Sequence, residues 1–101
     1  MGANAIEIYR KNSCKIECTV SGLPSLSGYT GKLTAKVNKD DTEKVIDKTG
    51  DIVEFVITFN LTPSDTDKPY KIYHYDVVID DSTNEYTVVQ DLLEIKKSVS
   101  N

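Results

Sequence analysis

One histidine, two cysteines and a run of carboxylates are the side chains of this 101-residue chain best suited to chemistry. His74 stands two residues before Asp76, a spacing that puts both on one face of an extended strand. Such a pair can orient a general base. Hydrolysis also needs a placed nucleophile and an oxyanion hole, and no Gly-x-Ser-x-Gly elbow is present to supply them. His74 therefore reads as a histidine on an outward strand face.

Asp80, Asp81, Ser82, Asn84, Glu85 and Asp91 form the most acidic stretch. Counted from Asp80, Ser82, Asn84 and Asp91 fall at positions 3, 5 and 12 of a calcium loop. Glu85 then takes the place where that loop needs glycine for its sharp turn. A solvated hairpin is the expectation, because Asp, Ser and Asn favour turns through local hydrogen bonds. Asn60-Leu61-Thr62 is formally a glycosylation triplet, but its Pro63 neighbour and the free thiols argue against use.

Cys14-Lys15-Ile16-Glu17-Cys18-Thr19-Val20 alternates apolar and polar, the pattern of a half-buried strand with both thiols on its inner face. Four strand steps separate the thiols by about 13 Å, beyond the ~7 Å limit for Cα atoms of a disulfide. No second Cys or His pair is available to complete a zinc site. Two buried, reduced thiols are expected. Tyr70, Tyr73 and Tyr75 lie close enough in sequence to suggest a sugar platform, yet Tyr73 and Tyr75 share the apolar register of Val77 and Ile79. With no phosphate loop and no zinc-protease motif, the chain is expected to be no enzyme and to hold no cofactor or metal.

A net charge of -4 and a pI near 4.9 argue against nucleic acid as a partner. Apolar runs are only a few residues long, so no membrane span is expected. No signal peptide is expected either, and Ile6 stands where myristoylation after Met1-Gly2 needs Ser or Thr.

The elements that position these residues read as strands over 5–9, 14–20, 29–38, 45–48, 52–61, 70–80 and 85–95. Thr49-Gly50-Asp51 is expected to turn the chain. Beyond it Val53, Phe55, Ile57, Phe59 and Leu61 alternate cleanly, which predicts a core of Phe55, Ile57 and Phe59 against Tyr75, Val77 and Val37. Thr62-Pro63-Ser64-Asp65-Thr66 reads as a capped helical turn. In the last strand Tyr86 and Val88 are out of phase with Leu93 and Ile95, which predicts a bulge near Gln90-Asp91. Residues 1–4 and 96–101 read as polar tails. About seven short strands with turn-rich connections make one all-β sandwich domain over 1–101.

The order and spacing of several blocks add a resemblance. These are Ile6-Glu7-Ile8-Tyr9-Arg10, Leu26-Ser27-Gly28-Tyr29-Thr30 and Asp41-Thr42-Glu43-Lys44-Val45-Ile46. Leu61-Thr62-Pro63-Ser64-Asp65-Thr66, Tyr73-His74-Tyr75-Asp76-Val77-Val78-Ile79 and Tyr86-Thr87-Val88-Val89-Gln90 follow. Together the chain resembles the small immunoglobulin-like structural domains of tailed bacteriophages and prophages, of the baseplate-associated or head-decoration type. Lys71-Ile72 and Asp91 stand where such domains carry glycine, so the start of that strand and the final bulge are expected to differ.

The resemblance implies an immunoglobulin-like β-sandwich of about seven strands and a non-enzymatic virion protein assembled in the bacterial cytoplasm. Its partners would be capsid or tail/baseplate subunits, with a second copy of the chain also allowed. The alternative is a glycan-binding module for host-surface adhesion. The candidate contact residues are those that break the inside-outside pattern or share a strand face with them: Val56, Ile72, His74, Asp76 and Val78.

Overall fold

The computed structural model describes residues 4–97. Within them the chain forms seven strands: β1 Ile6–Tyr9, β2 Cys14–Thr19, β3 Thr30–Lys36, β4 Ile46–Val53, β5 Val56–Leu61, β6 Lys71–Asp80 and β7 Glu85–Lys96. They are hydrogen-bonded in the order β1-β7-β6-β3-β4-β5-β2. Every pair is antiparallel except β1 with β7, which run parallel.

β4 belongs to two layers. Its first half, Ile46 to Gly50, pairs with β3, and its second, Asp51 to Val53, pairs with β5. The result is a sheet β1-β7-β6-β3-β4 facing a smaller sheet β4-β5-β2. Their inner faces meet in one core, with Ile57 and Phe59 from β5 against Leu33, Ala35, Tyr73, Tyr75, Val77, Ile79, Leu93 and Ile95. These positions follow the two-residue period of a strand with one face buried. β2, β5 and β4 take the places of strands B, E and D of an immunoglobulin domain, and β3, β6 and β7 those of C, F and G. β1 lies beside the last strand. The immunoglobulin-like sandwich expected from the sequence is the fold observed.

Several sequence expectations need correction. The first is the break between β4 and β5. β4 runs straight through Thr49-Gly50-Asp51, and the chain turns at Glu54-Phe55, where Glu54 adopts a φ of 54°. Gly50 is not a turn residue but a place of close approach. A Cβ there would lie 2.7 Å from both Ile57 Cγ2 and Phe59 Cε1. Its register partner Gly31 is also crowded by Ile57, whose Cγ2 would lie 2.9 Å from a Cβ there.

The second correction concerns the core. Ile57, Phe59, Tyr75 and Val77 are buried as expected, but Phe55 sits on the turn and is 38% exposed. Val53 is 70% exposed at the end of β4, and Val37, 38% exposed, follows the last paired residue of β3.

The third concerns the bulge. Val77 pairs with Val89 and Val78 with Thr87, so the extra residue is Val88. Asp91 hid the phase, because this polar residue takes an inner-register position opposite Tyr75. Its Oδ2 accepts the Asn4 amide at 3.0 Å, while the Tyr75 hydroxyl donates to the Asn4 carbonyl. Burial, reinforced by Asp91 and Cys18, pushes the Tyr75 phenol up to about 12.

Asn4 and Lys96 are thus part of the packed domain rather than tails, and Lys96 ends β7 beside Tyr9. The rest of the expected tails, 1–3 and 98–101, together with Met1-Gly2, lies outside the described residues.

The capped turn after β5 forms as read. Thr66 N–H donates to Thr62 O at 3.2 Å, Thr62 N–H to Asp65 Oδ2 at 2.8 Å, and Asp65 N–H to Thr62 Oγ1 at 3.3 Å. This reciprocal capping satisfies amides that a single turn would leave orphaned. The Thr66 hydroxyl, fully buried, donates to Asn12 O at 2.8 Å and so ties the turn to the β1–β2 loop.

Candidate functional site

β6 is an inner strand of the larger sheet, with β3 on one side and β7 on the other. Its inner face is closed by Tyr73, Tyr75, Val77 and Ile79, which leaves Ile72, His74, Asp76 and Val78 on the outer face. Four of the five candidate residues are therefore brought together, beside the final strand as expected. The fifth, Val56, pairs with Thr19 and Val53 in the other sheet and does not join them.

The neighbours of this row follow from the register. Across β3, Lys36 lies opposite His74, Thr34 opposite Asp76 and Lys32 opposite Val78. Across β7, Glu94 lies opposite Ile72, Leu92 opposite His74, Gln90 opposite Asp76 and Thr87 opposite Val78. Leu92 joins the face because the bulge at Val88 resets the phase of β7. Sequence reasoning missed it, since its outward position depends on where that bulge falls.

The face is mixed in character. Ile72 is 50% exposed, and Val78 and Leu92 are half-buried among polar neighbours. Asp47 on β4 lies 3.7 Å from both Lys32 and Lys44, extending a charged border. Burial raises the Asp76 carboxyl above its ordinary range, partly offset by Lys36 and Lys44. Between His74, Asp76, Lys36, Lys39 and Gln90 lies a depression of about 50 Å³, enough for a water or two. No hydrogen bond joins His74 to Asp76 among the described residues. The arrangement suits contact with another surface.

The other candidates resolve as follows. In the β6–β7 hairpin, Asp81 Oδ1 accepts N–H groups from Thr83 at 3.0 Å and Asn84 at 2.7 Å. Those amides hold the Asp81 carboxyl below its ordinary range. Asp80 Oδ1 accepts Ser82 N–H in the same way. The acidic side chains thus serve the turn, and no group of three or more His, Cys, Asp or Glu among the described residues is placed to hold a metal ion.

Cys18 is buried and Cys14 half-buried, both as free thiols that burial pushes above the usual thiol range. Tyr73 and Tyr75 are core, as expected, and Tyr70 has the Arg10 guanidinium 5.2 Å from its ring centre. The structure adds an aromatic pair, Tyr29 with Tyr86, ring centres 6.2 Å apart. Neither position hinted at the other in sequence, since the contact depends on how the loop before β3 folds against β7.

No protein-family model and no curated protein matches this chain. Among solved structures it is similar to one of murine CRIg, with 13% identity and a TM-score of 0.48, over 93% of this chain and 92% of that one. A likeness at that level carries neither a ligand nor a partner across.

Proposed function

We propose that this domain is a non-enzymatic structural module of a tailed-phage particle, held to capsid or tail/baseplate subunits by the outer face of β6. The observation that carries the contact surface is Ile72, half-exposed on an inner strand, with Val78 and Leu92 on the same face. The solvated face of an antiparallel sheet is ordinarily polar, whereas apolar residues rimmed by charge are the usual composition of a subunit contact. The virion setting rests on the sequence blocks that resemble phage immunoglobulin-like domains. Residues of this face touch a partner and have no chemical role.

The test is the double variant Ile72→Lys/Val78→Lys. Both side chains point away from the core, so the isolated domain should melt within a few degrees of wild type while its incorporation into purified particles is lost. Normal incorporation would remove this face from consideration. Absence of the wild-type chain from purified particles, judged by mass spectrometry, would remove the virion assignment itself. A host-surface glycan is the second reading, favoured by the accessible Tyr29–Tyr86 pair beside the acidic hairpin.

A further inference from the structure

A second surface is set by the backbone alone. β2 is an end strand of the smaller sheet, and among the described residues β5 is its only strand partner. Val20 N–H donates to Phe55 O at 2.8 Å, so even-numbered residues of this strand direct their backbone groups toward β5. The N–H and C=O groups of Lys15, Glu17 and Thr19 therefore line the open edge. The edge carries no proline and no bulge, two of the devices that ordinarily block strand addition.

We infer that β2 pairs antiparallel with β2 of a second copy of this chain, about a two-fold axis at Ile16. The edge geometry requires odd-numbered residues to bond odd-numbered ones. With the axis at Ile16, Lys15 bonds Glu17 of the partner copy and Glu17 bonds Lys15 of the partner copy, two identical opposite-charge pairs on the outer face. Moving the axis one residue either way sets Lys15 against Lys15, or Glu17 against Glu17. The self-complementary order Lys-x-Glu thus selects one register and penalises its neighbours.

The same register has a chemical signature. Cys14 falls opposite Cys18 of the partner copy, and Cys18 opposite Cys14. Both are non-hydrogen-bonded pairs, whose Cα atoms approach to about 4.5 Å, within disulfide range. Within one chain the two thiols are too far apart along the strand to react. The joined edges make one continuous sheet, β4-β5-β2 followed by the same three strands of the partner copy in reverse order. This contact is separate from the β6 face and does not depend on it.

Sedimentation of the full chain over a range of concentrations tests the pairing, together with the oxidant diamide at alkaline pH. Diamide takes up two thiol hydrogens for each S–S bond formed. The wild type should self-associate with rising concentration and be trapped as a covalent dimer whose peptide map joins Cys14 to Cys18. Cys14→Ser and Cys18→Ser should each abolish trapping, because neither leaves a facing pair. Lys15→Glu and Glu17→Lys should each weaken association by about tenfold, and the double exchange should restore it. All four side-chain changes are read beside a melting curve, and the restoring double variant guards against a folding defect. A concentration-independent monomer, trapping that survives in either serine variant, or charge reversals without effect would each overturn the proposal. So would a monomer whose Lys15, Glu17 and Thr19 amides exchange slowly, since another segment of the chain would then cover the edge.

Discussion

Phe59 and Phe55 are the same residue type four positions apart, and the structure gives them opposite fates. Phe59 lies between the sheets with no exposed surface, while Phe55 rides on the β4–β5 turn. Phe59→Ala should cost about 3–5 kcal/mol, the sum of lost transfer energy and the cavity left behind. Phe55→Ala should cost only about 1–2 kcal/mol, because more than a third of its surface is already exposed to water. Denaturant titration of the two variants separates them, and equal losses would contradict the position of the turn. Gly50 explains why Phe59 packs so deeply: without a Cβ, the β4 backbone admits its ring and Ile57 together.

At the scale of elements, the turn over 62–66 is held by Asp65, whose Oδ2 accepts Lys48 Nζ at 2.8 Å, Thr62 N–H at 2.8 Å and Thr62 Oγ1–H at 3.0 Å. Burial alone would raise this carboxyl, but the hydrogen bonds from Lys48 and Thr62 outweigh it and bring it below its ordinary 3.8. A lowered carboxyl stabilises the fold fully above its unfolded value, and the contribution fades as pH falls from there through the folded one. Asp65→Asn should therefore cost about 1 kcal/mol near neutrality, allowing for the partial exposure of the pair. The gap between wild type and variant should close below about pH 3.8. Urea titrations at the two pH values give the comparison, and a gap that persists in acid would show that the amide loses geometry rather than charge.

At the scale of the whole molecule, β1 and β7 bring together nearly the two ends of the described chain in a pairing of only four residues. The loop entropy must be lost before so short a ladder contributes, so this pairing should form after the β3–β6–β7 and β2–β5 sheets. Ile8, buried on the inner side of β1, reports it. Ile8→Val should destabilise by about 1 kcal/mol, raising the unfolding rate about fivefold with the folding rate nearly unchanged. Stopped-flow folding and unfolding arms measure both, and a slowed folding arm would place β1 in the nucleus instead.

Period-two alternation was enough to determine the all-β class, the number of strands though not the break between β4 and β5, the burial of Ile57, Phe59, Tyr75 and Val77, and the outward row Ile72, His74, Asp76, Val78. That is so because one-sided burial imposes the period locally, residue by residue. The capped turn was equally legible, since Thr62, Pro63 and Asp65 act on their own backbone. What the alternation could not carry was which strand lies beside which. Gly50 looks like punctuation until Ile57 and Phe59 are seen against it, and Asp91 looks out of phase until the Asn4 amide meets it. The same limit separated Val56 from the β6 row, added Leu92 to it, and left β2, among the described residues, with β5 as its one strand partner. Each of these depends on a partner distant in the chain, and a sequence pattern records the side chain's own burial but not the identity of what covers it.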